Sequence, residues 1–273
     1  MATATKEFET LSGIATHSNA ETKVDTGTLL GVLAGVGLIT IAIFRGGEPD
    51  VFMNLNSVFI VFGGTIATTF IAFSSKKVLG LLPVIVNAFK PDIYQPVDFI
   101  EDIMALSVKY RTGGLKNLES QEEFLDNRFL KTGITLVVDG YSSREIHDIL
   151  DRQLYSMTER HHAGHKILRF MAVQAPVFGM AGTLIGLIQM LMHLDSPETI
   201  GPSLATALIT TFYGLILANL IITPIVAKLN TRTESEIMLN KAIRVGILGI
   251  HDRINPQKIK RNMNSLLPPH QQK

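Results

Sequence analysis

The stretch FMAVQAPVFGMAGTLIGLIQMLMHL, residues 170–194, contains no Asp, Glu, Lys or Arg. A helix rises about 1.5 Å per residue and needs roughly 20 residues to cross the hydrocarbon of a bilayer, so this stretch is long enough. Three further windows lack the same four residue types: Thr26 to Phe44, Val51 to Ser75, and Thr199 to Ala227, each at least 19 residues long. One such window could be a buried core helix. Four in a chain of 273 residues, 46% hydrophobic and 18% charged, could not all be covered by the polar remainder. The expected fold is therefore an all-α integral membrane protein with four transmembrane helices and a helical cytoplasmic domain inserted between the second and third.

Orientation follows from the basic residues. Thirteen Lys and Arg lie between Lys76 and Arg169, nine from Lys228 to the end, and two before the first span. The two short connections hold only Arg45 among basic residues, and carry Glu48, Asp50, Asp195 and Glu198. Basic loops stay in the cytoplasm, which places both termini and the middle segment inside. The expected organisation is a polar N-terminal extension over 1–24 and a first transmembrane pair over 25–75, with spans near 27–44 and 53–75. A helical cytoplasmic domain follows over 76–168, then a second pair over 169–227, with spans near 170–192 and 203–227, and a cytoplasmic C-terminal helix and tail over 228–273. The extension does not have the pattern of a signal peptide and is expected to be mobile. The net charge of +1 is explained by topology and implies no nucleic-acid partner. The chain has no Cys, which excludes disulfides, thiolate metal sites and thiol nucleophiles.

The insert reads as helical. Apolar residues recur from Pro96 at Phe99, Ile103, Leu106 and Tyr110, a helical stripe that ends at Gly113-Gly114. A second helix is predicted over 121–138, with Phe124, Leu125, Phe129 and Leu130 inward, stopping at Asp139-Gly140. Ser142 and Glu145 then match a capping box. Beyond it only Gly164 interrupts, so one helix of about 70 Å is expected to run into the third span. The fourth span is expected to continue past Lys228 as a polar helix to about Ile250. Two such helices would form a stalk between membrane and cytoplasm.

The last two spans carry polar and small residues: Gln174, Pro176, Gly179, Gly182, Thr183, Gly186 and Gln189 in one, and Thr206, Thr210, Thr211, Asn219, Thr223 and Pro224 in the other. Gly179, Gly182 and Gly186 let another backbone approach, as Gly31 and Gly35 do in the first span. Hydroxyls and amides are equally consistent with helix–helix glue or with the lining of an ion path. Pro176 and Pro224 each free a carbonyl near opposite ends of their spans. No span carries an ionisable group, so either no ion moves or another chain supplies the carboxylate. His161 and His165 lie one turn apart, but only Glu159 offers an acidic third ligand, and the stretch reads as a solvated or headgroup-facing patch, with no metal site. Neither a nucleophile triad nor a phosphate loop is present, so no enzyme is expected and no catalytic residue is assigned. By itself, Arg111 to Glu119 reads as a helix stop with a solvated Arg.

Taken together, these segments resemble the MotA/PomA family, the ion-channel-forming subunit of the bacterial flagellar stator. The match runs from about residue 25 to Pro268 and is most specific at Ala175-Pro176-x-Phe178-Gly179-Met180-x-Gly182-Thr183-Leu184-Ile185-Gly186-Leu187. Support comes from residues 201–208, Thr210-Thr211-Phe212-Tyr213-Gly214, Thr223-Pro224, Ile60-Val61-Phe62-Gly63-Gly64-Thr65, Arg111 to Glu119, and Asn255-Pro256 through Leu266-Leu267-Pro268-Pro269. The resemblance implies an inner-membrane, multi-pass subunit of a homo-oligomer, surrounded by membrane lipid. It implies five copies around a dimer of a MotB/PomB-like single-span, peptidoglycan-anchored partner whose aspartate carries the ion. By position, Pro176 and Pro224 would couple ion passage to torque. Arg111 and Glu119 would engage the rotor's switch-ring protein. Thr183, Thr211 and Pro176 would line the ion pathway. A hydroxyl at Thr183 is typical of sodium-driven relatives, which favours sodium over the proton as the transported ion, with no cofactor. The polar extension departs from the family pattern.

Two other readings compete. A related ExbB/TolQ-like envelope motor usually has three spans, and a non-conducting scaffold would use the same threonines and prolines only for packing.

Overall fold

The computed structural model describes residues 26–47, 49–89, 96–193, 195 and 197–268, without the side chains of residues 26, 28, 96–98 and 197–199. The N-terminal extension, Glu48 and the side chain of Glu198 lie outside these limits. Among the described residues every regular element is helical. The helices are α1, Thr26–Arg45; α2, residues 55–72, in which Phe59–Gly63 is π-helical; α3, Ser75–Leu79; and α4, Leu81–Ala88. There follow α5, Pro96–Glu122; α6, Arg128–Val138; α7, Ser143–Met192; α8, residues 197–251, π-helical at Ile216–Ile222; and α9, Pro256–Asn264.

Three stretches are long and apolar enough to cross a membrane: Pro49–Ala72, Ser143–Met192 and Ile200–His251. Leu29–Arg45 is a shorter apolar helix. Their outer faces carry bare apolar side chains, Leu38 at 69% exposed and Ile71 at 84% among them. Water does not tolerate apolar surface on this scale, and lipid does. The chain is thus an all-helical, multi-pass membrane protein.

The residues form two compact units, one from 23–91 and 161–231, the other from 92–160 and 232–273. In the first, the ends of the apolar helices are pinned by aromatic edges, with Phe52 on Phe212 at 5.8 Å and Phe73 on Phe170 at 5.4 Å between ring centroids. Asn54 caps α2 by accepting from Ser57 N–H at 2.9 Å, and its amide donates to Thr206 Oγ1 at 2.9 Å. Tyr213 O–H donates to Phe52 O, tying the 3₁₀ turn Pro49–Phe52 to α8. Of the G-x-x-x-G pair in α1, Gly35 accommodates Leu220, whereas a side chain at Gly31 would meet nothing.

The second unit is closed around Ile103, Leu106, Leu130, Ile134, Leu150, Ile243, Ile247 and Met263, all nearly inaccessible. The capping box opens α7: Ser142 N–H donates to Glu145 Oε2 at 3.0 Å, and Glu145 N–H to Ser142 Oγ at 3.4 Å. The hydrogen bonds from Ser142 hold the Glu145 carboxyl below its ordinary pKa. From there α7 runs 50 residues through both Gly164 and Pro176, about 75 Å at 1.5 Å per residue.

Three sequence expectations are corrected. Gly114, at φ 68°, breaks α5 as expected, but the helix resumes to Glu122 and the next begins only at Arg128, where Asn127 accepts from Leu130 N–H at 2.9 Å. Phe124 therefore sits in the intervening turn, 55% exposed, and not in the core. The continuation of α8 is not a polar helix, because Leu239, Ile243, Ile247 and Ile250 form a buried stripe at helical spacing. Finally, His165 is 3% exposed and not solvated, since it shares the inner face of α7 with Leu168 while His162 and Lys166 take the outer face.

Candidate functional site

Helices α7 and α8 lie against each other along a seam of small residues. A Cβ on Gly179 would come within 3.0 Å of Thr210 O and 3.2 Å of Thr211 Cα. One on Gly186 would meet Ala207 at 2.8 Å, and one on Gly214 would meet Ala175 O at 2.7 Å. Gly182 faces the Thr210 side chain, 2.5 Å from such a Cβ. The backbones thus approach more closely than any larger residue would permit.

That approach brings Thr183 and Thr211 together. Their hydroxyl oxygens are 2.5 Å apart, and Thr183 Oγ1 also lies 3.1 Å from Gly179 O and 3.0 Å from Ala207 O. Thr211 Oγ1 is 3.4 Å from Gly179 O. Four oxygens therefore meet around two hydroxyl protons. Both threonines are only half-buried. Thr210 differs: it is fully buried, and its hydroxyl bonds its own helix at Ala207 O, 2.8 Å away. The same back-bonding occupies Thr65 and Thr69 in α2. Thr183 makes the same bond back to Gly179 O and differs in also reaching Ala207 O and Thr211 of the neighbouring helix.

Pro176 is half-buried one turn before Thr183's partner Gly179, and its missing N–H frees the carbonyl of Ala172. Pro224 is exposed and follows the π-helical segment, where Thr223 N–H reaches back five residues to Ala218 O. Such wide turns often accompany functional sites. Gln189 and Asn219 are exposed on the outer faces. Asn54, which with Tyr213 fastens the turn at 49–52 to α8, was not singled out from the sequence; an Asn preceding an apolar helix is the N-cap signal that would have found it.

In the other unit Arg111 and Glu119 are both exposed on either side of the Gly114 break. The segment after the break is seated by Leu118, which is fully buried, and by Lys109 Nζ donating to Gln121 Oε1 at 2.8 Å. Arg253 lies over the ring of Tyr110, 5.2 Å from its centroid.

His165 lies in the part of α7 that belongs to the first unit, next to the ring of His162 at 6.0 Å. Burial lowers its pKa, the neighbouring His161 lowers it further, and a hydrogen bond with Asn230 opposes both. The described residues contain no group of three or more His, Asp or Glu placed to hold a metal.

Apolar, charge-free stretches of two long helices joined along a glycine seam define a multi-pass membrane protein. The profile of the MotA/TolQ/ExbB proton channel family matches residues 121–242. The chain is 35% identical to "Chemotaxis protein PomA" of Vibrio alginolyticus over 89% of this chain and 96% of that protein. It is 33% identical to "Motility protein A" of Treponema phagedenis, over 86% and 93%. Its fold superposes on the flagellar MotAB stator complex of Bacillus subtilis with a TM-score of 0.83 at 26% identity, covering 90% of this chain and 98% of that one. The chain belongs to the MotA/PomA family, the ion-channel subunits of the flagellar stator, which is not an enzyme class.

Proposed function

We propose that this chain is the sodium-conducting subunit of a flagellar stator in the bacterial inner membrane. It would cross the membrane four times, with both termini in the cytoplasm and the helical domain inserted between spans two and three. The observation that carries the ion assignment is the Thr183–Thr211 hydroxyl pair, 2.5 Å apart, with Gly179 O and Ala207 O beside it. Oxygens of this kind replace part of a sodium ion's hydration shell. A proton passing to a carboxylate needs no such shell. The spans contain no carboxylate, so a MotB/PomB-like single-span partner supplies the aspartate, five copies of this chain surrounding two of the partner. Pro176 and Pro224 sit within the two helices that carry the seam and each frees a carbonyl there, which supports a role in turning ion passage into torque. Exposed Arg111 and Glu119 offer both signs of charge to the rotor's switch ring, and surface pairs are weak enough to release at every step.

The test is swimming speed against sodium concentration in cells expressing this chain with its partner. Thr183→Ala is expected to lower speed at limiting sodium about tenfold, the effect of losing about 1.4 kcal/mol of binding. Thr183→Ser keeps the oxygen and should retain most of the speed. Motility indifferent to sodium but abolished by a proton uncoupler would overturn the ion assignment, and intact torque in both Pro176→Ala and Arg111→Ala would overturn the stator mechanism.

A further inference from the structure

Helices α3 and α4 leave one face bare. Leu81, Val84, Ile85 and Ala88 pack inward with Ile167 and Leu168 of α7. Leu79, Leu82 and Val86 point outward, 65%, 68% and 56% exposed. Two contacts fix how this segment runs. Phe73 meets Phe170 of α7 edge to face, and Val84 meets Gly164 of α7, 3.5 Å from where its Cβ would be. Eleven residues of chain thus separate contacts that lie only six residues apart on α7. A single helix of that length would extend about 16 Å, whereas the contacts advance only about 9 Å along α7, and the chain between them is bent at the extended residues Phe73 and Ser74 and at Gly80. The segment therefore crosses α7 obliquely where the third span leaves the hydrocarbon, and does not continue α2 straight into the cytoplasm.

The charges at this level have one sign. Lys76 and Lys77 of α3 and Lys166 and Arg169 of α7 are exposed, the last two between the two contact points. Residues 51–91, 161–194 and 199–231 contain no Asp or Glu. The acidic residues of this unit are Glu48, Asp50, Asp195 and Glu198, all in the opposite connections, and Asp25, outside the described residues. We propose that the α3–α4 segment, with Lys76 and Lys77, is a docking surface for anionic phospholipid of the cytoplasmic leaflet. Leu79, Leu82 and Val86 enter the acyl boundary, and the ammonium groups of Lys76 and Lys77 engage headgroup phosphates. A second copy of this chain would bring the same cationic face and repel it, whereas anionic lipid is complementary to both the apolar and the charged part. The inference rests on the four-span topology proposed above.

Because the chain has no Cys, Leu82→Cys can carry a single fluorophore. The labelled chain, assembled with its partner, is placed in nanodiscs containing either doxyl-phosphatidylglycerol or doxyl-phosphatidylcholine at equal mole fraction. Quenching is expected in both and stronger with phosphatidylglycerol. Lys76→Gln with Lys77→Gln should reduce that preference by roughly 25-fold, at about fivefold for each lysine at an anionic surface. Lys258→Gln with Lys260→Gln, removing equal charge from α9, should leave it unchanged. Absence of quenching would mean that protein covers the face. Equal quenching by the two lipids would mean a surface without headgroup choice. A preference abolished by millimolar inorganic phosphate would mean a soluble-anion site, and each of these three overturns the proposal. In whole cells, labelling of Leu82→Cys by an impermeant external thiol reagent would instead overturn the topology. Loss of the lipid preference alone leaves the stator reading standing.

Discussion

His165 is a titratable ring with almost no access to water, 3% exposed, on the face of α7 that also carries Leu168. Its folded pKa is lowered by burial and by His161, so the folded state binds a proton less readily than the unfolded chain. The sign follows from linkage. Stability is undiminished while the unfolded imidazole is neutral, and falls as pH drops below its ordinary pKa of about 6.5. Melting of the solubilised complex from about pH 7.5 to about pH 5.5 should therefore decline more steeply for the native chain than for His165→Gln, with the two alike at the upper end. Parallel curves would remove His165 as the cause. The threonine pair is a second residue-scale case. Thr183 and Thr210 both bond back to their own helices, but only Thr183 also reaches across to Thr211. Thr210→Val keeps the shape and removes only a locally satisfied hydroxyl. It should cost about 1 kcal/mol of stability and leave the sodium dependence of swimming intact, unlike Thr183→Ala.

At the scale of elements, the glycines decide how closely α7 and α8 approach. A Gly182→Val substitution would put its branched carbons where Thr210 now sits. Overpacking of this kind costs about 1–3 kcal/mol. It would also separate Thr183 from Thr211, so conduction should fall further than thermal stability, measured side by side on the same purified complex. Gly114 acts on a different element. Its φ of 68° with ψ −157° is a backbone conformation that side-chain-bearing residues rarely adopt, and it sets the direction of the segment bearing Glu119 relative to Arg111. Gly114→Ala should destabilise that turn by about 1–3 kcal/mol and reduce swimming while leaving ion influx through the assembled channel unchanged. Much of this was legible from residue order: the apolar windows, the Ser142–Glu145 box, and the Gly113-Gly114 break all depend on local patterns. What was not legible depended on facing. Phe124 reads as apolar at a helical offset, but the Asn127 cap starts the next helix after it. Ile243, Ile247 and Ile250 are diluted by Asn240, Lys241 and Arg244, so their stripe emerges only once α5, α6 and α9 close against it. The His161–His165 stretch is basic in composition, and only helical phase separates the buried ring from the exposed ones.

For the molecule as a whole, the distribution of charge governs what one copy can do alone. Every span is free of Asp, Glu, Lys and Arg, and the oxygens at Thr183, Thr211, Gly179 and Ala207 are neutral. Neutral oxygens can replace hydration, but they cannot compensate the charge of a cation held in hydrocarbon, where an unpaired ion is costly. The sequence made this visible as an absence: four charge-free windows and no acid among them. It could not show that two threonines from separate spans converge, because they lie 28 residues apart in the chain. The subunit should therefore be inert by itself. Expressed alone, it should neither slow growth nor admit sodium. Expressed with the single-span partner, it should admit sodium and inhibit growth. Replacing the partner's membrane aspartate with asparagine should abolish both effects while the complex still copurifies, because neutralising that carboxylate removes the countercharge and leaves the oxygen cluster of this chain in place. Sodium influx through this chain without the partner would mean that neutral oxygens suffice, and the division of labour between carboxylate and hydroxyls would have to be abandoned.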